Sequence, residues 1–164
     1  MKQKLMSVLR IGLAVLFLPM LSLAQDGDKQ IARGEKKKES KAKFELQLVW
    51  ATNDKQSPDA KHKDISPERR KRLEQLQLKW ANYFEVNQKE FTVPDRGTNK
   101  VPISEKCTVS VKDLGGNKFE VIWYSKSGKV VGKQTQPLAK GEVLILGGNA
   151  PGATAWFIIL KRIE

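Results

Sequence analysis

Only one cysteine, Cys107, and one histidine, His62, occur in the 164 residues of this chain. A lone cysteine excludes an intrachain disulfide, so packing must supply the stability. Cys107 opens a β-type run, Cys107-Thr108-Val109-Ser110-Val111, where a buried, inert thiol is the plain reading. A lone histidine rules out a His-rich zinc set, and His62, flanked by Asp59 and Asp64 in a polar stretch, makes no Ser-His-Asp triad or His–Cys pair. Asp54, Asp59, Asp64 and His62 lack the glycine and terminal acid of an EF-hand loop and read as solvated loop polarity. No metal or cofactor site is assigned. After residue 24 no apolar run approaches the ~20 residues that a spanning helix needs.

The first 24 residues are different. Lys2, Lys4 and Arg10 precede an apolar run from Ile11 to Leu18, and Leu21-Ser22-Leu23-Ala24 closes the stretch. This is the pattern of a secretory signal peptide, with Ser22 and Ala24 at the small-residue positions before a cut at Gln25. The residue after the cut is not cysteine, so no lipid anchor is expected there. The expected location is the periplasm or the extracellular medium.

The chain carries a formal +12, of which Lys2, Lys4 and Arg10 account for three, leaving +9 on residues 25–164. A basic protein outside the cytoplasm attracts anionic lipid or acidic polymers, and nucleic acid is not an expected partner. Residues 25–43 have almost nothing to bury and read as a disordered basic leader. Its Lys36, Lys37, Lys38, Lys41 and Lys43 are candidate anion-binding residues. Arg69, Arg70, Lys71 and Arg72 are further candidates, since four cations at a helix start oppose the dipole and local stability would not select them. The plainer readings are a spacer and a solvated helix face.

Residues 44–164 form one domain on this reading. Phe44, Leu46, Leu48 and Trp50 alternate as a half-buried strand does. Ser66-Pro67-Glu68 combines a capping hydroxyl, a proline at the first helical position and a first-turn acid, and predicts a helix over 67–81 with Leu73, Leu76 and Trp80 on one stripe. β-forming segments follow at 83–93, 105–114, 118–124, 129–135, 142–146 and 154–162, separated by Gly, Asn, Ser and Pro turn signals. In the last segment both alternating sets are apolar, which predicts a central strand covered on both faces. A phase switch between Phe84/Val86 and Phe91/Val93 predicts either a bulge near residues 87–89 or two strands. The predicted fold is mainly β (α+β): an antiparallel β-sandwich or open barrel of about seven strands, with one amphipathic helix after the first strand.

Catalytic motifs fail on inspection. Gly147-Gly148-Asn149-Ala150-Pro151-Gly152-Ala153-Thr154 has the glycine spacing of a phosphate loop but alanine in the lysine position, and a strand follows it. Lys126-Ser127-Gly128 and Ser40-Lys41-Ala42-Lys43 match fragments of serine β-lactamase motifs in a turn and in the leader, without the third element. Glu85, Glu90, Glu120 and Glu142 are the carboxylates that a β-sandwich would have to pair for acid/base work. Trp50, Trp80, Trp123 and Trp156 fall within apolar patterns, so core packing is expected for at least three.

Signal, basic leader, one helix and β-hairpins make a layout that looks like that of small exported envelope proteins, and this likeness carries over no activity and no site residues. The expected function is therefore a noncatalytic, exported, envelope-associated binding or assembly module with an envelope protein as partner. An electrostatic binder of anionic polysaccharide or membrane surface is the alternative, and a carboxylate-dependent hydrolase the second.

Overall fold

The structure, a computed structural model, describes residues 41–164, so the predicted signal, most of the predicted leader and Lys36–Lys38 lie outside the described residues. Two antiparallel sheets face each other as a sandwich. The first has the order β2-β3-β1-β9-β8 and comprises β1 (Lys41–Thr52), β2 (Lys63–Asp64), β3 (Asn82–Pro94), β8 (Val143–Ala150) and β9 (Thr154–Arg162). The second has the order β4-β5-β6-β7 and comprises β4 (Thr98–Ser104), β5 (Cys107–Asp113), β6 (Lys118–Ser125) and β7 (Val130–Pro137). One helix, α1 (Pro67–Glu74), follows β2.

Alternation along the strands decides the layers. Phe44, Leu46 and Leu48 of β1, with Ile158 and Leu160 of β9, meet Val109, Val111, Phe119 and Val121 of the second sheet in the inter-sheet core. The opposite face of the first sheet is also apolar. Val49 and Ala51 of β1 and Ala155, Phe157 and Ile159 of β9 pack with Ile65, Leu73 and Tyr83 in a second core. Strand β9 is thus interior and covered on both faces, as its two apolar sets require.

The first strand starts at Lys41, not Phe44, because Ala42 is buried in the inter-sheet core and Lys41–Lys43 pair with Thr92–Pro94. The helix is shorter than the predicted 67–81. Ser66 caps it by accepting from the Arg69 N–H, but it ends at Glu74, and Gln77 adopts a left-handed φ of 50°. Only Leu73 of the helix is buried; Leu76 points to solvent, and Leu78 and Trp80 reach the second core from the chain beyond the helix. Strand β4 was not predicted, since Pro102 lies inside it. Proline is tolerated there because β4 is an edge strand.

Strand β3 runs through the phase switch with a bulge. Leu48 faces Asn87 and Val49 faces Glu85, so Val86 is the extra residue. Beyond the bulge, β3 lies along β4, and side chains of each strand donate to backbone carbonyls of the other. Asn87 donates to the Ile103 carbonyl at 2.8 Å, Lys89 to the Pro102 carbonyl at 2.5 Å, and Asn99 to the Thr92 carbonyl at 2.9 Å. One end of the sandwich is closed by Arg162, which donates to Asn117 Oδ1 at 2.6 Å and to the Leu138 carbonyl at 3.0 Å and lies over the Phe119 ring.

Leu73→Ala should lower the unfolding free energy by about 2–5 kcal/mol, the usual cost of emptying a buried leucine site. Leu76→Ala, at a side chain 49 % exposed, should change it by less than about 0.5 kcal/mol. Urea titration of both variants checks where the helix stops facing the core.

Candidate functional site

At the end of the sandwich opposite Arg162, a cleft of about 680 Å³ enters between the sheets. Its walls are Leu48 and Trp50 from β1, Val86 from β3, Trp156 from β9, Trp123 from β6 and Val131 from β7. The loop carrying Pro58, Asp59 and His62 borders it, as do Ser104 to Cys107 and Asn149 to Pro151. Its volume falls in the range of about 300–1,000 Å³ typical of ligand pockets, and mainly apolar walls with few polar groups are also typical.

Three bulges surround this cleft. Besides Val86, the β6/β7 register slips between Trp123 and Tyr124, leaving Val131 as the extra residue, and the β4/β5 register slips between Pro102 and Ser104, leaving Ile103. No other strand pair among the described residues shows a slip. A bulge bends its strand and increases local twist, and all three lie at this end of the sandwich. Two of the extra residues, Val86 and Val131, themselves line the opening.

Glycines set the tryptophans. Gly132 stands opposite Trp123 on the neighbouring strand, and Gly148 stands opposite Trp156. A Cβ on Gly132 would collide with three adjacent ring atoms of Trp123, and one on Gly148 with the Trp156 ring, so each indole lies over its glycine. Gly147 stands in the same relation to Phe157 on the other face of the sheet. The pair Gly147-Gly148 therefore belongs to β8, not to the connection where turn chemistry placed it. Their sequence signal is two glycines in register with two aromatic residues across a hairpin.

Trp50, Trp123 and Trp156 do face inward, as their alternation requires, but they stand at the end of the sandwich and are only half-buried. Trp80 alone of the four belongs to the second core, where its indole packs edge-on to Phe157 and donates to the Ala153 carbonyl at 2.9 Å. Alternation fixes which face a residue takes and says nothing of how far the opposing sheet extends. The indole N–H groups of Trp50 and Trp123 are shut off from solvent and have no acceptor. Each such unmet donor costs about 1–3 kcal/mol.

Ser57, His62 and Asp59 come together in the loop that borders the cleft, where the sequence reading assembled no Ser-His-Asp set. His62 Nδ1 pairs with Ser57 Oγ at 2.6 Å, and its Nε2 lies 4.0 Å from Asp59. Burial pushes the Cys107 thiol pKa upward, away from the thiolate form. No three His, Cys, Asp or Glu side chains come together among the described residues. The four candidate carboxylates are dispersed, each on its own partner. Glu85 accepts from Gln47 and faces Arg69, Glu90 pairs with Lys43 at 2.8 Å, Glu120 with Lys133 at 2.5 Å, and Glu142 accepts the Ala139 N–H at 2.6 Å.

Of the candidate anion-binding residues, Lys41, Lys43 and Arg69 to Arg72 are among the described residues, the first two on β1 and the other four on α1. Arg69 turns against the outer face of the first sheet, pairing with Glu45, approaching Glu85 at 4.0 Å and Gln88 at 3.5 Å. Arg72 meets Glu68 at 3.5 Å, Arg70 lies near Tyr83 and Lys71 is exposed. Glu90 holds the Lys43 ammonium pKa above its ordinary value through a hydrogen bond and its charge. Lys41 opens β1. Arg69 and Lys43 therefore serve to fasten α1 and β1 to the sheet. Comparison with protein-family models, with curated proteins and with solved structures finds no match to this chain.

Gly132→Ala and Gly148→Ala should each force an indole off the strand and cost about 1–3 kcal/mol, the usual penalty of overpacking. Urea unfolding followed by tryptophan emission reads both the loss and the changed ring environment. Cys107 should react with a thiol reagent more slowly at pH 8 than a free cysteine does, with a rate midpoint displaced upward from about 8.5. Equal rates and midpoints would show that the thiol is not enclosed by the cleft.

Proposed function

We propose that the protein is an exported, noncatalytic binding module of the cell envelope, and that the cleft between Trp50, Trp123 and Trp156 receives an apolar group of its ligand. The observation that carries this reading is the gathering of all three strand bulges and three half-buried indoles at one opening. A core built only for stability has no use for that arrangement, which leaves large aromatic side chains incompletely covered. Each extra residue also interrupts a hydrogen-bond ladder, and such interruptions concentrate where a strand must re-aim a side chain.

Export is supported by the sequence of residues 1–24, with its basic start, apolar run and Ser22/Ala24 ending. A noncatalytic role is supported by the scattering of Glu85, Glu90, Glu120 and Glu142 onto separate partners away from the cleft. The apolar lining also favours recognition by the folded domain over attachment by charge. Ion pairs already engage Arg69, Arg72 and Lys43, which weakens the helix start and β1 as a basic surface.

N-phenylnaphthylamine, which brightens in apolar surroundings, should bind the purified protein saturably and with little change across a salt series. Val131→Glu places a carboxylate on a side chain 54 % exposed at the rim, where it should fold normally and weaken probe binding about tenfold. Binding that collapses with salt and ignores Val131→Glu would transfer the function to the basic residues instead.

A further inference from the structure

The described sheets end in four strand edges, β2 and β8 on the first and β4 and β7 on the second. An edge presents unpaired N–H and C=O groups, and chains that stay apart blunt it with charge, proline, a bulge, short length or cover. Three of the four are blunted. Strand β2 is two residues long, and both, Lys63 and Asp64, are charged. Strand β4 carries Lys100, Pro102 and the extra residue Ile103, and donors from β3 occupy two of its carbonyls. Strand β7 carries Lys133, the extra residue Val131 and a closing Pro137.

Strand β8 has none of these devices. Its residues, Val143-Leu144-Ile145-Leu146-Gly147-Gly148-Asn149-Ala150, include no charge and no proline, and its pairing with β9 runs without a slip. The Arg162 N–H donates to the Glu142 carbonyl at 3.0 Å, and this fixes the alternation of the ladder. Leu144, Leu146 and Gly148 direct their backbone groups to β9, while Val143, Ile145, Gly147 and Asn149 direct theirs away from it. Gly147 and Asn149 are exposed, and Val143 and Ile145 are half-buried. No strand among the described residues pairs with that side.

We infer that β8 is the contact surface of a homodimer, pairing antiparallel with β8 of a second copy and joining the two five-stranded sheets into one. The strand is complementary to itself. A two-fold register that uses every outward group on both strands sets Leu146 on the axis, Ile145 against Gly147 of the second copy and Val143 against its Asn149. Branched side chains on the outer face thus meet slender ones, and on the inner face Leu144 meets Gly148. Charge favours the same arrangement. The chain is basic, but the charged residues flanking β8, Lys140 and Glu142 before it and Lys161 across from Val143, gather at one end of the strand, and Asn149 to Gly152 at the other end carry no charge. Antiparallel pairing lays each charged end against an uncharged one. The two Val143 positions then stand about 20 Å apart at about 3.3 Å per residue, beyond the ~8 Å screening length of physiological salt. Pairing of identical edges occupies both, so assembly stops at two copies. Nothing in this contact depends on what fills the cleft.

Sedimentation velocity of the purified full-length chain over a wide range of concentration should show a monomer converting to a dimer. Asn149→Pro removes an outward N–H and no bond to β9, and Asn149→Lys adds the charge that this edge lacks. Each should keep the circular dichroism of the parent and raise the dimer dissociation constant about tenfold or more. Thr135→Pro, at an exposed position on the β7 edge, should leave that constant unchanged. Hydrogen exchange reads the same surface without any substitution, and the amides of Ile145, Gly147 and Asn149 should exchange more slowly as the dimer forms. A monomer at every concentration overturns the second copy as the occupant of this edge. A dimer that ignores both Asn149 variants, or that leaves those amides unprotected, has its contact elsewhere and overturns the β8 pairing. Growth past two copies overturns the two-fold register.

Discussion

Everything in this fold follows from a strand that has to be covered twice. From Leu46 to Val49, β1 is buried on both faces, and its two sides demand different neighbours. One side takes the second sheet; the other takes α1, the chain that follows it and the inner residues of β3 and β9. Even the polar residue in this run, Gln47, is enclosed, and it is tied to Glu85 on the adjacent strand. Glu85 in turn faces Arg69 of the helix. The helix is therefore held by Leu73 underneath and by charge at its start, a short element with two separate attachments.

The sandwich is asymmetric along its length. At one end Arg162 joins β9 to the turn before β6 and to the segment after β7. At the other end the same strands carry bulges and glycines, and large rings take the place of interdigitated aliphatic side chains. Close packing is a property of protein interiors in general. Here it is maintained at one end and given up at the other, where an opening of ligand size arises.

Much of the architecture was legible in the chain. Period-two alternation identified β1, read with one buried face where both are covered, and the doubly buried β9; the phase switch between Val86 and Phe91 left a bulge near residues 87–89 or two strands open, and the structure has the bulge, at Val86. Ser66 and Pro67 located the helix start because capping is local chemistry. Its end was misplaced because Leu76 and Trp80 continue a helical spacing that the left-handed backbone at Gln77 interrupts. Strand β4 escaped because Pro102 reads as a breaker unless its edge position is known. The cleft itself was not legible. Trp50, Trp123 and Trp156 look like any inward residues in sequence, and only the pairing of Trp123 with Gly132 and Trp156 with Gly148 sets them apart, a relation that exists once the strands are in register.

The order of strands has a consequence for how the molecule forms. Strand β1, near the start of the described chain, lies between β3 and β9, and β9 is the final strand. Until β9 has been made, one edge of β1 is open, and Leu46, Leu48 and Val49 lack much of their lateral cover. The five-stranded sheet thus cannot close progressively as the chain lengthens, and its decisive pairing joins segments more than a hundred residues apart, such as Phe44 with Arg162. Such long-range closure can begin only once β9 has been made, and non-local pairing of this kind is slower than the local contacts of helices. Until that pairing is made, the open side of β1 is an unpaired strand edge with apolar side chains, the kind of edge on which another chain can add.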